Sequence, residues 1–130
     1  MIEMTWAEFD NGINKLVDKI NKSGIHFEFL IGIPRGGLIP AVALSHKLDK
    51  KLVSCEPSNY ELYNGIVIDD IVDSGKTLKK NFKRPIASLV WKSKKAFFEP
   101  AFFAFEDTTE EFIKFPWETN ESARRDYADK

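Results

Sequence analysis

Apolar residues recur at Trp6, Phe9, Ile13, Leu16, Val17 and Ile20, the spacing of one face of a helix. Thr5 and Glu8 stand three apart at its start. There a hydroxyl and a carboxylate can satisfy each other's backbone amides, and Asn21 to Gly24 marks its end. The pattern then changes. Phe27 to Ile33 is a short run rich in strand formers that stops at Pro34-Arg35-Gly36-Gly37. Leu38 to Leu48 reads as a helix with Leu38, Val42, Leu44 and Leu48 apolar, and Leu52 to Cys55 as a strand. Glu56 to Asn64 is polar, contains Pro57, and reads as a loop.

Gly65 to Asp69 is continuously apolar until its last residue, as in the middle of a parallel sheet. A turn is expected from Asp70 to Gly75 and a short helix from Lys76 to about Phe82. Pro85 to Trp91 and Ala101 to Phe105 are further strands, and the chain from Thr119 is polar surface. Helices interleaved with buried strands predict an α/β fold with a mainly parallel sheet flanked by helices. Ligands of such sheets bind beyond the carboxyl ends of the strands. Both glycine loops, 34–37 and 70–75, follow strands and so share that edge.

At 130 residues the chain fits one domain, residues 1–130, and its apolar fraction of 43% is enough for a packed core. Nineteen basic residues against twenty acidic ones leave a net charge of -1, which gives no electrostatic case for nucleic acid or an anionic membrane as partner. No apolar stretch approaches the ~20 residues of a membrane span, and no signal peptide is visible, so a cytoplasmic location is expected. Cys55 is the sole cysteine, which excludes an intramolecular disulfide and reads as a buried strand thiol. His26 and His46 lack partners at metal or triad spacing and read as surface residues.

The chemistry concentrates between Asp69 and Thr77. A strand delivers two adjacent carboxylates, Asp69 and Asp70, to its end; Asp73, Ser74 and Gly75 follow, and a helix begins at Lys76. Free amides beside a glycine favour a phosphate, hydroxyls of Ser74 and Thr77 add donors, and carboxylates accept from sugar hydroxyls or hold Mg²⁺. The set suits a phosphorylated sugar. Gly75-Lys76-Thr77 also suggests a P-loop, but that motif needs glycine at position 70, where Asp70 would repel a triphosphate. An ordinary capped turn remains an alternative, although it leaves the paired carboxylates unexplained.

Ile66 to Leu78 resembles the signature of the type I phosphoribosyltransferases, and Ile33 to Pro40 resembles their pyrophosphate loop, in the family's order. Phe112 to Glu118 is similar to the base-binding region of bacterial xanthine-guanine enzymes. The resemblance implies transfer of a phosphoribosyl group from 5-phosphoribosyl 1-pyrophosphate to a 6-oxopurine with Mg²⁺, in a homo-oligomer whose subunits carry a small C-terminal base-binding hood. It places Asp69 and Asp70 on the ribose hydroxyls, Asp70 on Mg²⁺, and Asp73 at the purine imidazole as general base. Asp73, Ser74, Gly75, Lys76 and Thr77 would hold the 5′-phosphate, and Arg35, Gly36 and Gly37 the pyrophosphate, with a cis peptide at Pro34–Arg35. Lys92 would donate to the purine oxygen, with Lys94 its nearest rival. Phe112 would stack on the ring, the Ile113 backbone would meet its edge, and Glu118 would read a 2-amino group. Trp117 is assigned to packing. Two departures stand out. Related enzymes carry a long closing loop where residues 56–64 are short, and often a small polar residue where Pro34 stands. A short loop admits water, which keeps a second reading open: a nucleotide-binding regulatory module of the same fold.

Overall fold

The computed structural model describes residues 1–54 and 60–123. Helix α1 spans Trp6–Ser23 and begins with the expected reciprocal cap: Glu8 N–H donates to Thr5 Oγ1 at 3.1 Å, and Thr5 N–H to Glu8 Oε1 at 3.0 Å. The Thr5 N–H and, with it, the Thr5 hydroxyl donate to Glu8 Oε1 and hold the Glu8 carboxyl below its usual range. Gly24 closes the helix in the left-handed conformation. The buried face of α1 is Phe9, Gly12, Ile13, Leu16 and Ile20, which packs on the sheet and on α2, Leu38–Leu48.

Five parallel strands form the sheet in the order β3-β2-β4-β5-β6: β2 is Phe29–Gly32, β3 Lys51–Ser54, β4 Gly65–Val72, β5 Ile86–Lys92 and β6 Phe102–Asp107. A 3₁₀ turn, Tyr60–Leu62, precedes β4, and helix α3, Lys76–Asn81, follows it. Cores lie on both faces. Ile13, Leu16, Leu30, Leu44, Ile66, Ile68 and Leu89 pack under α1 and α2, while Ile31, Val67, Val72, Leu78 and Phe82 pack under α3. This is the expected parallel α/β fold. The Cys55 assignment and residues 56–59 of the short 56–64 interval lie outside the described residues.

The structure corrects two details. Strand β4 runs three residues past Asp69, because β5 continues beside it and Ile71 and Val72 pair with Val90 and Trp91. Asp70 is therefore a strand residue like Asp69, not the start of a turn, and the two are 0% and 8% exposed. The second detail is a pair of two-residue strands. Ile2–Glu3 (β1) pairs in parallel with Ile113–Lys114 (β7), with Ile2 N–H donating to Phe112 O and Met4 N–H to Lys114 O. The C-terminal hood is thus braced by the first residues of the chain.

Candidate active site

From β2 the chain steps to β3 on one side and then to β4 on the other. A parallel sheet opens a crevice where its strand order reverses in this way, because the two flanking loops leave in opposite directions. The crevice here lies between the carboxyl ends of β2 and β4. On one wall is the loop Pro34–Gly37, with a cis peptide at Pro34–Arg35. On the other are Asp69, Asp70 and the turn through Gly75.

These walls touch. A Cβ on Gly36 would run into Asp70 Oδ2, so only glycine lets the loop lie against that carboxylate. Asp69 Oδ1 accepts the Asp70 N–H at 2.9 Å. Gly75 has φ +79°, which turns the backbone into α3, and its bare Cα faces the Phe98 ring. Ser74 Oγ accepts the Lys76 N–H, while Lys76 and Thr77 are exposed at the rim with Arg35. The structure therefore brings the residues expected for the sugar, pyrophosphate and 5′-phosphate to one place.

Asp73 is 2% exposed. Its Oδ2 accepts from Lys95 Nζ at 2.8 Å, and its Oδ1 is buried with no hydrogen bond among the described residues. The sequence reading missed Lys95. Its role depends on the turn after β5, where Lys95 N–H donates to Lys92 O and Phe97 N–H to Ser74 O. No chain-local pattern announces that fold-back.

Of the residues expected to bind the base, Lys92 is placed differently from the expectation. It is the last residue of β5, 1% exposed, and its Nζ donates to Asp107 Oδ2 at 2.6 Å, Thr109 O at 3.0 Å and Glu111 O at 2.6 Å. An ammonium has three N–H donors, so Lys92 is fully engaged in bracing the segment that carries Phe112. Phe112 itself is 44% exposed and outside the core, as a stacking face requires, and Ile113 is buried on β7. Glu118 Oε1 accepts the Phe115 N–H at 2.9 Å, a bond local to its own turn. Trp117 packs in a ring cluster with Phe115, Phe9 and Trp6.

Burial works against ionisation of Asp107, yet hydrogen bonds from Lys92 and Thr109 outweigh it and hold its carboxyl below the usual range. The sign follows from linkage. A lowered folded pKa gives stability that is complete above the unfolded value of about 4 and is lost as pH falls through the lower folded value. Lys92→Met should therefore cost about 3 kcal/mol at pH 7, since it strands a largely buried carboxylate. In chemical denaturation, the gap between variant and parent should shrink below pH 4. A gap independent of pH would show that Asp107 is not the partner that matters.

No family model matches the chain. Solved structures do. A purine phosphoribosyltransferase from Pyrococcus horikoshii OT3 is 30% identical, over 91% of this chain and 94% of that one, with a TM-score of 0.73. Xanthine-guanine-hypoxanthine phosphoribosyltransferase from Helicobacter pylori shares 22% identity over 96% and 98% of the two chains, TM-score 0.72. A protein from Neisseria gonorrhoeae with bound ppGpp also shares 22%, over 99% and 97%, TM-score 0.72. The chain belongs to the type I phosphoribosyltransferase family, a family of enzymes. Among its described residues no helix is long and apolar enough to cross a membrane.

Proposed function

We propose that this enzyme transfers the phosphoribosyl group of 5-phosphoribosyl 1-pyrophosphate to a purine, and that the purine is a 6-oxopurine. One observation carries the reading: three buried carboxylates, Asp69, Asp70 and Asp73, follow one another along β4 and the turn after it, and Asp70 lies against the glycine loop of the facing wall. A plain capped turn needs none of them buried. The purine relatives add support for the class of acceptor.

In the reaction a ring nitrogen of the base bonds to C1 of the ribose as the bond from C1 to the pyrophosphate oxygen breaks. The electron pair leaves with pyrophosphate, and the imidazole proton passes to Asp73, whose buried Oδ1 accepts it. Asp69 and Asp70 orient the ribose hydroxyls, and Arg35 with the amides of Gly36 and Gly37 holds the pyrophosphate in line. The Ser74–Thr77 turn holds the 5′-phosphate through amides and hydroxyls.

Mg²⁺ fits the donor set. Asp70 offers hard oxygens at the loop that meets the pyrophosphate, and no group of three or more candidate ligands exists among the described residues. That composition suits an ion held by one or two carboxylates and completed by substrate oxygens and water. When bound, Mg²⁺ supplies charge neutralisation for the leaving pyrophosphate.

The test is turnover with Mg²⁺ and the pyrophosphate sugar across guanine, xanthine, hypoxanthine, adenine and uracil, alongside a thermal melt. Transfer to the oxopurines is expected, together with a raised melting temperature. At a hundredfold excess over Kd the sugar stabilises the fold by about 2.7 kcal/mol. A melt shift without transfer to any base would favour the regulatory module. Neither transfer nor shift would remove the phosphoribosyl site.

A further inference from the structure

A cavity lies outside the crevice. It occupies about 480 Å³ between the end of α3 and the segment that leads into β6, at the amino ends of β5 and β6. That size falls within the roughly 300–1,000 Å³ of small-molecule sites. Its floor is apolar: Phe82 and Ile86 are buried, and the half-buried Phe98 forms one side. Its rim carries three cations, Lys79, Lys83 and Arg84, and among the described lining residues one carboxylate, Glu99. Lys79 Nζ stands 5.5 Å from the centre of the Phe98 ring. Arg84 Nη2 donates to Glu61 O at 3.3 Å, through one of the five N–H donors of a guanidinium.

This cavity shares its walls with the phosphate turn. Phe98 lies on Gly75, where a Cβ would run into the ring. Lys79 N–H donates to Gly75 O at 2.9 Å, and Phe97 N–H to Ser74 O at 3.1 Å. A ligand that fixes Lys79 and Phe98 therefore fixes Ser74 and Gly75 as well.

We propose that this cavity is a second site, for a nucleoside di- or triphosphate, and that its occupation steadies the turn from Ser74 to Thr77. The polyphosphate meets the three cations, since guanidinium and ammonium groups bind phosphate through charge-assisted hydrogen bonds. The base lies on the apolar floor beside the Phe98 ring. The site itself is independent of the transfer reading; its effect on binding of the pyrophosphate sugar rests on that reading. The alternative is a solvated basic helix end. Such a surface attracts any polyanion alike, because it offers charge without a floor.

The experiment measures by calorimetry the affinities of ATP and inorganic tripolyphosphate. It compares the parent with Lys79→Glu, Lys79→Arg, Arg84→Glu and a crevice variant, Asp69→Asn with Asp70→Asn, each with its melting temperature. ATP should bind the parent more tightly than tripolyphosphate does. Its affinity should fall roughly ten- to hundredfold in Lys79→Glu and Arg84→Glu, the range of a hydrogen bond to a charged group. It should be kept in Lys79→Arg and in the crevice variant. Equal affinities for ATP and tripolyphosphate, no binding of ATP, or an ATP affinity unchanged in Lys79→Glu and Arg84→Glu would each overturn the site. Saturating ATP should also raise the parent's affinity for the pyrophosphate sugar roughly fivefold or more, and not that of Lys79→Glu. An unchanged or lowered sugar affinity in the parent would overturn the coupling. If the parent does not bind the sugar, the transfer reading fails separately, and the ATP affinities still decide the site.

Discussion

Asp73→Asn should lower purine transfer by roughly 10²–10⁴-fold, the range lost with a general base, and leave binding of the pyrophosphate sugar little changed. The side chain is 2% exposed, so the substitution must preserve its volume, which asparagine does. It removes basicity at Oδ1, the buried oxygen that would take the proton. The lost Lys95 pair costs the fold little, because the lysine side chain is 54% exposed and water can solvate it. The sugar is held by other groups: Asp69, Asp70 and the two glycine turns. Single-turnover kinetics with calorimetric binding checks the expectation. Loss of binding in step with turnover would make Asp73 a structural residue.

Gly36→Ala should lower kcat/KM by roughly 10²-fold, with a melting temperature close to the parent's. The added methyl would collide with Asp70 Oδ2, and Asp70 is 0% exposed, so its short side chain has nowhere to retreat. Either the loop lifts or the carboxylate turns, and a shift of about 1 Å at an aligned site costs on that order. The effect should fall on the sugar-pyrophosphate step and be shared by every acceptor base. Activity within threefold of the parent would mean that the loop and Asp70 need not stay in register.

Much of this site was legible because it is local in sequence. A strand, paired acids, a small turn and a helix follow one another from Gly65 to Asn81, and the pattern reports their order directly. The capping box of α1 was legible for the same reason. The limit of β4 was not: Asp70 reads as the start of a turn, and only the neighbouring β5 decides that the strand continues to Val72. The strands β1 and β7 are too short to carry a period and pair residues from opposite ends of the chain. Lys95 was hidden by its neighbours, since three lysines within four positions look alike until the backbone separates them. Lys92 was read as facing the substrate because nothing local reveals Asp107 and the two carbonyls that surround its ammonium.

The pairing of Ile2–Glu3 with Ile113–Lys114 also sets an order of assembly. A chain emerging from the ribosome presents residues 2 and 3 long before residues 113 and 114, and they have no ladder to join until those have appeared. By then β2 and β4, with the crevice between them, are available to form. The half proposed to grip phosphates and ribose can be built during synthesis, whereas the half proposed to face the base must wait until residue 114 has been made.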